Sequence, residues 1–291
     1  MLRFPLGEAL SGVPATFDAI QRFVPEIGIH ARAFPLVPGG GRLIKTHEPY
    51  RREYKRAIYI VRDVRDVMLS SFARESAMDV LHIRTLDEYV RPFMEGRMTR
   101  FGSWQQHVDG WMNSPLAKRG DLLVLSFEEM RKDLEGSVAR CLDFLGKRVD
   151  PSVVQNVVRN NSLENMRAKE DQAKRLPQSP KEEGRQVSRG SIQGWRQKLT
   201  QQQIELIDEF AGDLLARLHY PRGINDRLVE LQHLEKITQR LEISAPWSDT
   251  AESVPDGSGI VLQPEKRSSD DYALRLRIAG RIANFFSWYR Y

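Results

Sequence analysis

One cysteine, Cys141, stands among 291 residues, which excludes an internal disulfide framework and fits a reducing, cytoplasmic compartment. A thiolate zinc cluster is excluded with it. His30, His82, His219 and His233 have no companions at metal-ligand spacing, so no metal is expected. No run of about eighteen apolar residues occurs, which excludes a spanning helix. The opening Met1–Leu6 lacks the apolar stretch of a secretory leader. Basic residues are spread rather than gathered in runs, and no basic strands interleaved with aromatics occur. Both absences argue against a nucleic-acid partner. No internal repeat is visible.

What the chain does have is an ordinary globular composition, 41% hydrophobic and 29% charged. Lys plus Arg exceed Asp plus Glu by 44 to 39, a net +5. That mild excess suits phosphate-bearing ligands and equally a well-solvated mixed surface. The length admits one large α/β domain with an appendage, or two modest domains.

Residues 16–27 read as a helix capped by Thr16 and stopped near Pro25. After a Pro- and Gly-rich passage come two strand candidates, 42–45 and 57–61. The second is a near-continuous apolar run, as a buried parallel strand requires. A helix starts near Asp66, and residues 73–101 are helical and irregular. A third strand candidate covers 122–126, followed by a helix over 136–145. Residues 167–194 read as a loop, and 201–218 as an amphipathic helix. Strands alternating with helices imply an α/β fold with a parallel sheet flanked by helices. The character changes near residue 225, so the expected division is a domain over 1–225 and a C-terminal extension over 226–291. That extension reads as a short charged helix, a Ser-, Pro- and Asp-rich linker, and a basic aromatic tail.

Two stretches carry chemistry. Lys45-Thr46-His47 sits at the end of a strand candidate, where ligands gather in parallel α/β folds. A histidine there can take a proton from an attacking hydroxyl. Lys45, two residues earlier on the same side of an extended chain, can offset charge on a leaving group. A surface histidine beside a lysine is the plainer alternative. In Ile60-Val61-Arg62-Asp63-Val64-Arg65-Asp66, an arginine ends a strand and Ser70 follows eight residues later, inside a helix. Such a pair can hold a phosphate. The alternative is a strand-turn-helix whose arginines and aspartates pair with each other.

The segment over 60–70 resembles the nucleotide-binding stretch of sulfotransferases of the cytosolic type, which use phosphoadenosyl phosphosulfate (PAPS). Other landmarks follow in that family's order. Lys45-Thr46-His47-Glu48-Pro49 is similar to its K-T-H-x-P. Gly102-Ser103-Trp104 with His107-Val108 and Trp111 resembles its G-S-W-x-x-H-V-x-x-W. Leu123 to Met130 resembles its strand ending in Y-E-D, and Ser162 to Met166 its S-F-x-x-M. Ser188 to Trp195 resembles its R-K-G-x-x-G-x-W.

The resemblance spans roughly residues 1–222 and implies a P-loop-like sulfotransferase fold moving a sulfuryl group from PAPS to a hydroxyl or amine. By resemblance, His47 is the base and Lys45 stabilises the leaving oxygen. Arg62, Ser70, Ser188, Arg189 and Gly190 hold the 3′-phosphate, and Ser162 and Met166 border the adenine. The acceptor would be a small molecule, a glycan or a lipid, with residues 72–101 walling its pocket. No metal is implied.

There are departures from the pattern. Ser188 stands where the family often has arginine, Leu163 where an aromatic would stack on adenine, and Gln193 where glycine is common. The family also opens with a strand and a phosphate loop resembling Y-P-K-S-G-T-T-W, and Met1–Phe4 resembles the helix just after it. The expectation is therefore an N-terminally truncated fold, which as given can lack activity. A non-catalytic binding or scaffolding relative stays open beside the enzyme. In the tail, Leu274, Ile278, Ile282, Phe285 and Tyr289 share a helical face among arginines. That pattern fits a helix packed on its own domain or a partner, or one lying on an acidic membrane. His107 reads as a packing or hydrogen-bonding residue, and Glu128 and Glu129 as an exposed helix start.

Overall fold

The computed structural model describes residues 2–29, 34–78, 84–174, 187, 191–221 and 223. The extension over 226–291 and the candidates Ser188, Arg189 and Gly190 lie outside the described residues. In chain order the elements are α1 (Arg3–Ser11), α2 (Ile20–Phe23), β1 (Ala57–Val61), α3 (Val64–Met78), α4 (Leu86–Met94), α5 (Trp104–Met112), α6 (Pro115–Arg119), β2 (Leu122–Ser126), α7 (Phe127–Lys132), α8 (Leu134–Phe144), α9 (Pro151–Asn160), α10 (Leu163–Asp171), α11 (Trp195–Lys198) and α12 (Gln201–Arg217). This is an α/β fold with a parallel sheet between helical layers.

β1 and β2 pair in parallel, with Tyr59 opposite Val124 and Val61 opposite Ser126. Because side chains alternate along a strand, paired residues share a face. Tyr59, Val61 and Val124 enter one core with α3, α4, α5 and α12. Ile58, Ile60, Leu123 and Leu125 face a second core built from α1, α7, α8 and α9. Trp104, Trp195, Tyr89 and Phe93 are almost wholly buried, and each such side chain contributes about 1.5–3 kcal/mol of burial. Cys141 lies in the second core, where burial pushes its thiol up to about 12, so it packs as a small apolar group.

Local signals account for most of the helix boundaries. Capping boxes open α4 at Thr85 and Glu88, α5 at Ser103 and Gln106, and α12 at Thr200 and Gln203. Ser126 ends β2 and caps α7, accepting from Glu129 N at 3.0 Å. Parallel pairing therefore brings the two strand ends side by side, each running directly into a helix.

Three local expectations need correction. The helix expected over 16–27 is only Ile20–Phe23, after a turn at Thr16–Ala19. Val24 precedes Pro25 and leaves the helical region at φ −128°, as the residue before proline tends to do. The stretch 42–45 is not a strand. Only Lys45 pairs, in an isolated parallel bridge with Glu26, because the opposing chain turns away at Gly28, whose φ is +76°. The loop expected over 167–194 begins late, since α10 continues to Asp171.

Candidate functional site

The bridge between Glu26 and Lys45 sets one corner of the site. Lys45 N donates to Pro25 O at 2.8 Å, and Ile27 N to Lys45 O at 2.9 Å. Glu26 is thereby held beside Lys45, and both side chains meet. Glu26 Oε2 accepts from Lys45 Nζ at 3.0 Å, while Oε1 lies 3.3 Å from His47 Nε2. Glu26 and His47 are buried, at 7% and 6% exposure, which rules out the surface-histidine alternative. Burial works to raise the Glu26 carboxyl. The His47 ring at 3.3 Å and the Lys45 ammonium outweigh it and hold the group far below the usual carboxylate range.

The backbone around His47 is irregular and hangs from α5. His107 Nε2 donates to His47 O at 3.2 Å, and Trp111 Nε1 donates to Glu48 O at 3.2 Å. The carbonyl can only accept, so Nε2 carries the proton and Nδ1 accepts from Tyr59 Oη, 3.0 Å away. Burial lowers the His107 pKa, which keeps it in this neutral form. Tyr54 stacks on Trp111 at 5.6 Å and Tyr59 at 5.4 Å, fixing the indole. His107 thus acts as the hydrogen-bonding residue expected of it. Thr99, Phe101, Gly102, Ser103 and Trp104 close a narrow crevice over His47 and His107. Of the described residues in the expected acceptor wall over 72–101, Thr99 and Phe101 at its end lie here. A larger groove of about 620 Å³ lies along α8 and α9, and His47 and Arg62 do not line it.

The second corner lies at the ends of β1 and β2. The Arg62 guanidinium lies 4.3 Å from the Phe127 ring centre, and Nη2 donates to Ser191 O at 3.0 Å. Arg62 is buried at 8% exposure, and its Nε has no hydrogen-bond partner among the described residues. Arg65 pairs with Asp63 in two parallel bonds of 2.9 and 2.7 Å, and its guanidinium stacks 3.7 Å from the Trp195 ring. The alternative in which arginines and aspartates pair with each other thus holds for Arg65 and Asp63 and leaves the Arg62 Nε open. Ser70, half-buried, follows in the second turn of α3.

Asp66 accepts from Gln193 N at 2.7 Å and Trp195 N at 3.0 Å, tying the start of α11 to α3. Burial raises its carboxyl to about 6, against the lowering effect of Arg62. Gln193 has φ +55°, a left-handed conformation that explains physically why glycine suits this position. Glu128 is buried rather than an exposed helix start. It accepts from Asp63 N at 3.3 Å and Tyr220 Oη at 3.0 Å, and burial raises it to about 7. Ser162 caps α10, accepting from Asn165 N at 3.3 Å. Met166 packs against the cluster of Phe4, Ala15, Ile20 and Val24, which lies on and beside α1 and α2 rather than at the strand ends.

The sequence reading passed over Glu26, Asp66 and Tyr220. Asp66 sits in the first turn of α3, a common place for an acid, but the N–H groups that it accepts from are 127 and 129 residues away. For Glu26 and Tyr220 no local signal exists.

At the ends of the parallel strands lies a buried arginine with an open Nε, and in the other corner a histidine and a lysine share one buried carboxylate. Residues 40–219 match the sulfotransferase domain model, and the chain belongs to that family. It is 29% identical over 203 residues to sulfotransferase 2A6 of Mus musculus, covering 64% of this chain and 67% of that protein. It is 31% identical over 164 residues to the 3-beta-hydroxysteroid sulfotransferase of Cavia porcellus, covering 55% and 56%. The fold is similar to that of mouse sulfotransferase SULT7A1, solved in complex with PAP, with a TM-score of 0.51, 24% identity and coverage of 60% and 66%.

Proposed function

We propose that the protein transfers a sulfuryl group from PAPS to a hydroxyl or amine of a small acceptor. The observation that carries this reading is the convergence of His47 and Lys45 on one buried carboxylate beside a closed crevice. His47 takes the acceptor's proton as its oxygen or nitrogen attacks, and Lys45 offsets the negative charge left on the departing oxygen. Positioning supplies much of the rest, as in phosphoryl transfer.

The strand end fits the nucleotide. The Arg62 Nε is a buried donor without a partner among the described residues, and a 3′-phosphate oxygen would satisfy it. Arg62 and Ser70 would hold that phosphate, together with Ser188, Arg189 and Gly190. Ser162 and Met166 would border the adenine. PAPS, when bound, supplies the sulfuryl group. A hydroxyl acceptor accords with the hydroxysteroid named for the guinea-pig relative.

The test is turnover with PAPS and a panel of phenols, alcohols and 3-hydroxysteroids. The parent is expected to sulfate at least one, and His47→Ala to lose roughly 10²–10⁴-fold in kcat. Calorimetry should show phosphoadenosine phosphate preferred over AMP by at least about tenfold, a difference that Arg62→Ala removes. Nucleotide binding without turnover on any acceptor would favour a binding or scaffolding protein instead.

A further inference from the structure

We infer that Glu26 is a positioning residue that joins Lys45 and His47 into one charged unit and stabilises the protonated form of His47. This deepens the proposed function and rests on His47 being the base.

The geometry carries the inference in three ways. The carboxylate is shared, Oε2 to Lys45 at 3.0 Å and Oε1 to His47 at 3.3 Å, so each partner is placed relative to the other through it. The placement does not depend on side-chain rotamers alone, because the backbone bridge between Glu26 and Lys45 holds the two chain segments together. Finally, Glu26 and His47 are buried and Lys45 is half-buried, and a buried carboxylate is stabilised in its charged form by such partners.

The charge count gives the functional consequence. With His47 neutral, Glu26 and Lys45 balance. When His47 takes the acceptor's proton, the cluster carries one net positive charge, beside the place where an anionic oxygen departs. The carboxylate at 3.3 Å favours that imidazolium. Among the described residues, the charged and titratable groups facing His47 include Glu26, Lys45 on its own segment, and neutral His107 from α5. Lys45 opposes protonation of His47, so Glu26 also screens the histidine from the lysine.

A structural role alone would have Glu26 serve merely to bury Lys45. The experiment that separates the two follows the His47 imidazole by NMR titration of the full chain. Its signal is identified by its loss in His47→Asn, and it is compared in the parent, Glu26→Gln and Glu26→Asp. The His47 midpoint should lie about one pH unit or more lower in Glu26→Gln than in the parent, with Glu26→Asp between the two.

This readout needs no acceptor and no turnover, so it stands apart from the proposed reaction. If the midpoint shifts while the parent sulfates nothing in the panel, the positioning inference holds and the reaction fails. An unchanged midpoint in a folded Glu26→Gln overturns the inference, whatever the activity. Should Glu26→Gln not fold, Glu26→Asp with its shorter reach provides the same comparison. In turnover, Glu26→Gln should lower kcat about tenfold or more with little change in the KM for PAPS, and shift the acid limb of the pH profile downward.

Discussion

His47 and Arg62 stand at two corners built in different ways. Arg62 ends a strand whose partner is registered residue by residue, and a helix starts two residues later. Its neighbours Asp63, Arg65, Asp66 and Glu128 are tied by at least six hydrogen bonds from four different stretches of chain. His47 lies on irregular backbone with one bridge to its partner segment, and two side chains of α5 suspend its carbonyl and the next. The first corner is built on a registered strand pair, and the second on irregular chain gripped by the Glu26 carboxylate and by α5. A change at the Arg62 corner should therefore be felt mainly as stability. One at the His47 corner should appear mainly as activity.

Asp63→Asn should break that contrast most heavily. It leaves Arg65 buried, 0% exposed, without its carboxylate, at a cost of about 3–5 kcal/mol. Urea unfolding should show the loss as a lower midpoint. Next in size is a pH effect at the same corner. Glu128 has an ordinary value of 4.5 and is raised to about 7 in the fold. The folded state therefore holds a proton that the unfolded state has released, so stability falls as pH rises from about 4.5 to about 7. Asp66, raised from 3.8 to about 6, adds the same sign at lower pH. Glu128→Gln should gain stability relative to the parent on going from pH 4 to pH 8, by on the order of 3 kcal/mol, measured by unfolding at both pH values.

The other two changes probe the suspended corner. Gly96 has φ +77°, and a Cβ there would meet the backbone of Gly102 and Ser103, which line the crevice over His47. Gly96→Ala should cost about 1–3 kcal/mol and lower kcat by more than that stability loss explains at a temperature where the protein is folded. Trp111→Phe keeps the ring stack and removes the bond to Glu48 O. It should cost about 1 kcal/mol and lower kcat several-fold, with nucleotide affinity by calorimetry unchanged.

The unequal construction also explains what the sequence made legible. α8 and α12 show in local periodicity because each buries one face over consecutive turns, and β1 and β2 show as continuous apolar runs because both their faces meet a core. Arg62, Lys45 and His47 stand out in the sequence because ordered motifs carry them. Glu26 does not, since its meeting with Lys45 depends on one bridge between segments 19 residues apart, and a lone glutamate reads as surface. Glu128 was misjudged for the same reason. Its burial comes from Asp63 and Tyr220, 65 and 92 residues away. The residues 42–45 have the composition of a strand, but pairing needs a partner that runs alongside, and the partner turns away at Gly28.

His107 and Trp111 sit four residues apart on α5, so they project from one face of the helix about 6 Å apart along its axis. The carbonyls that they grip belong to consecutive residues of the irregular chain. The helix thus serves as a ruler for a segment that has no periodicity of its own. Substitutions can alter how firmly each mark grips, but a single inserted residue between the two would turn the indole by about 100° around the axis and carry it off Glu48. Relatives that keep this arrangement can therefore vary the exposed Gly110 between the two marks, but neither the buried Val108 freely nor the length of α5.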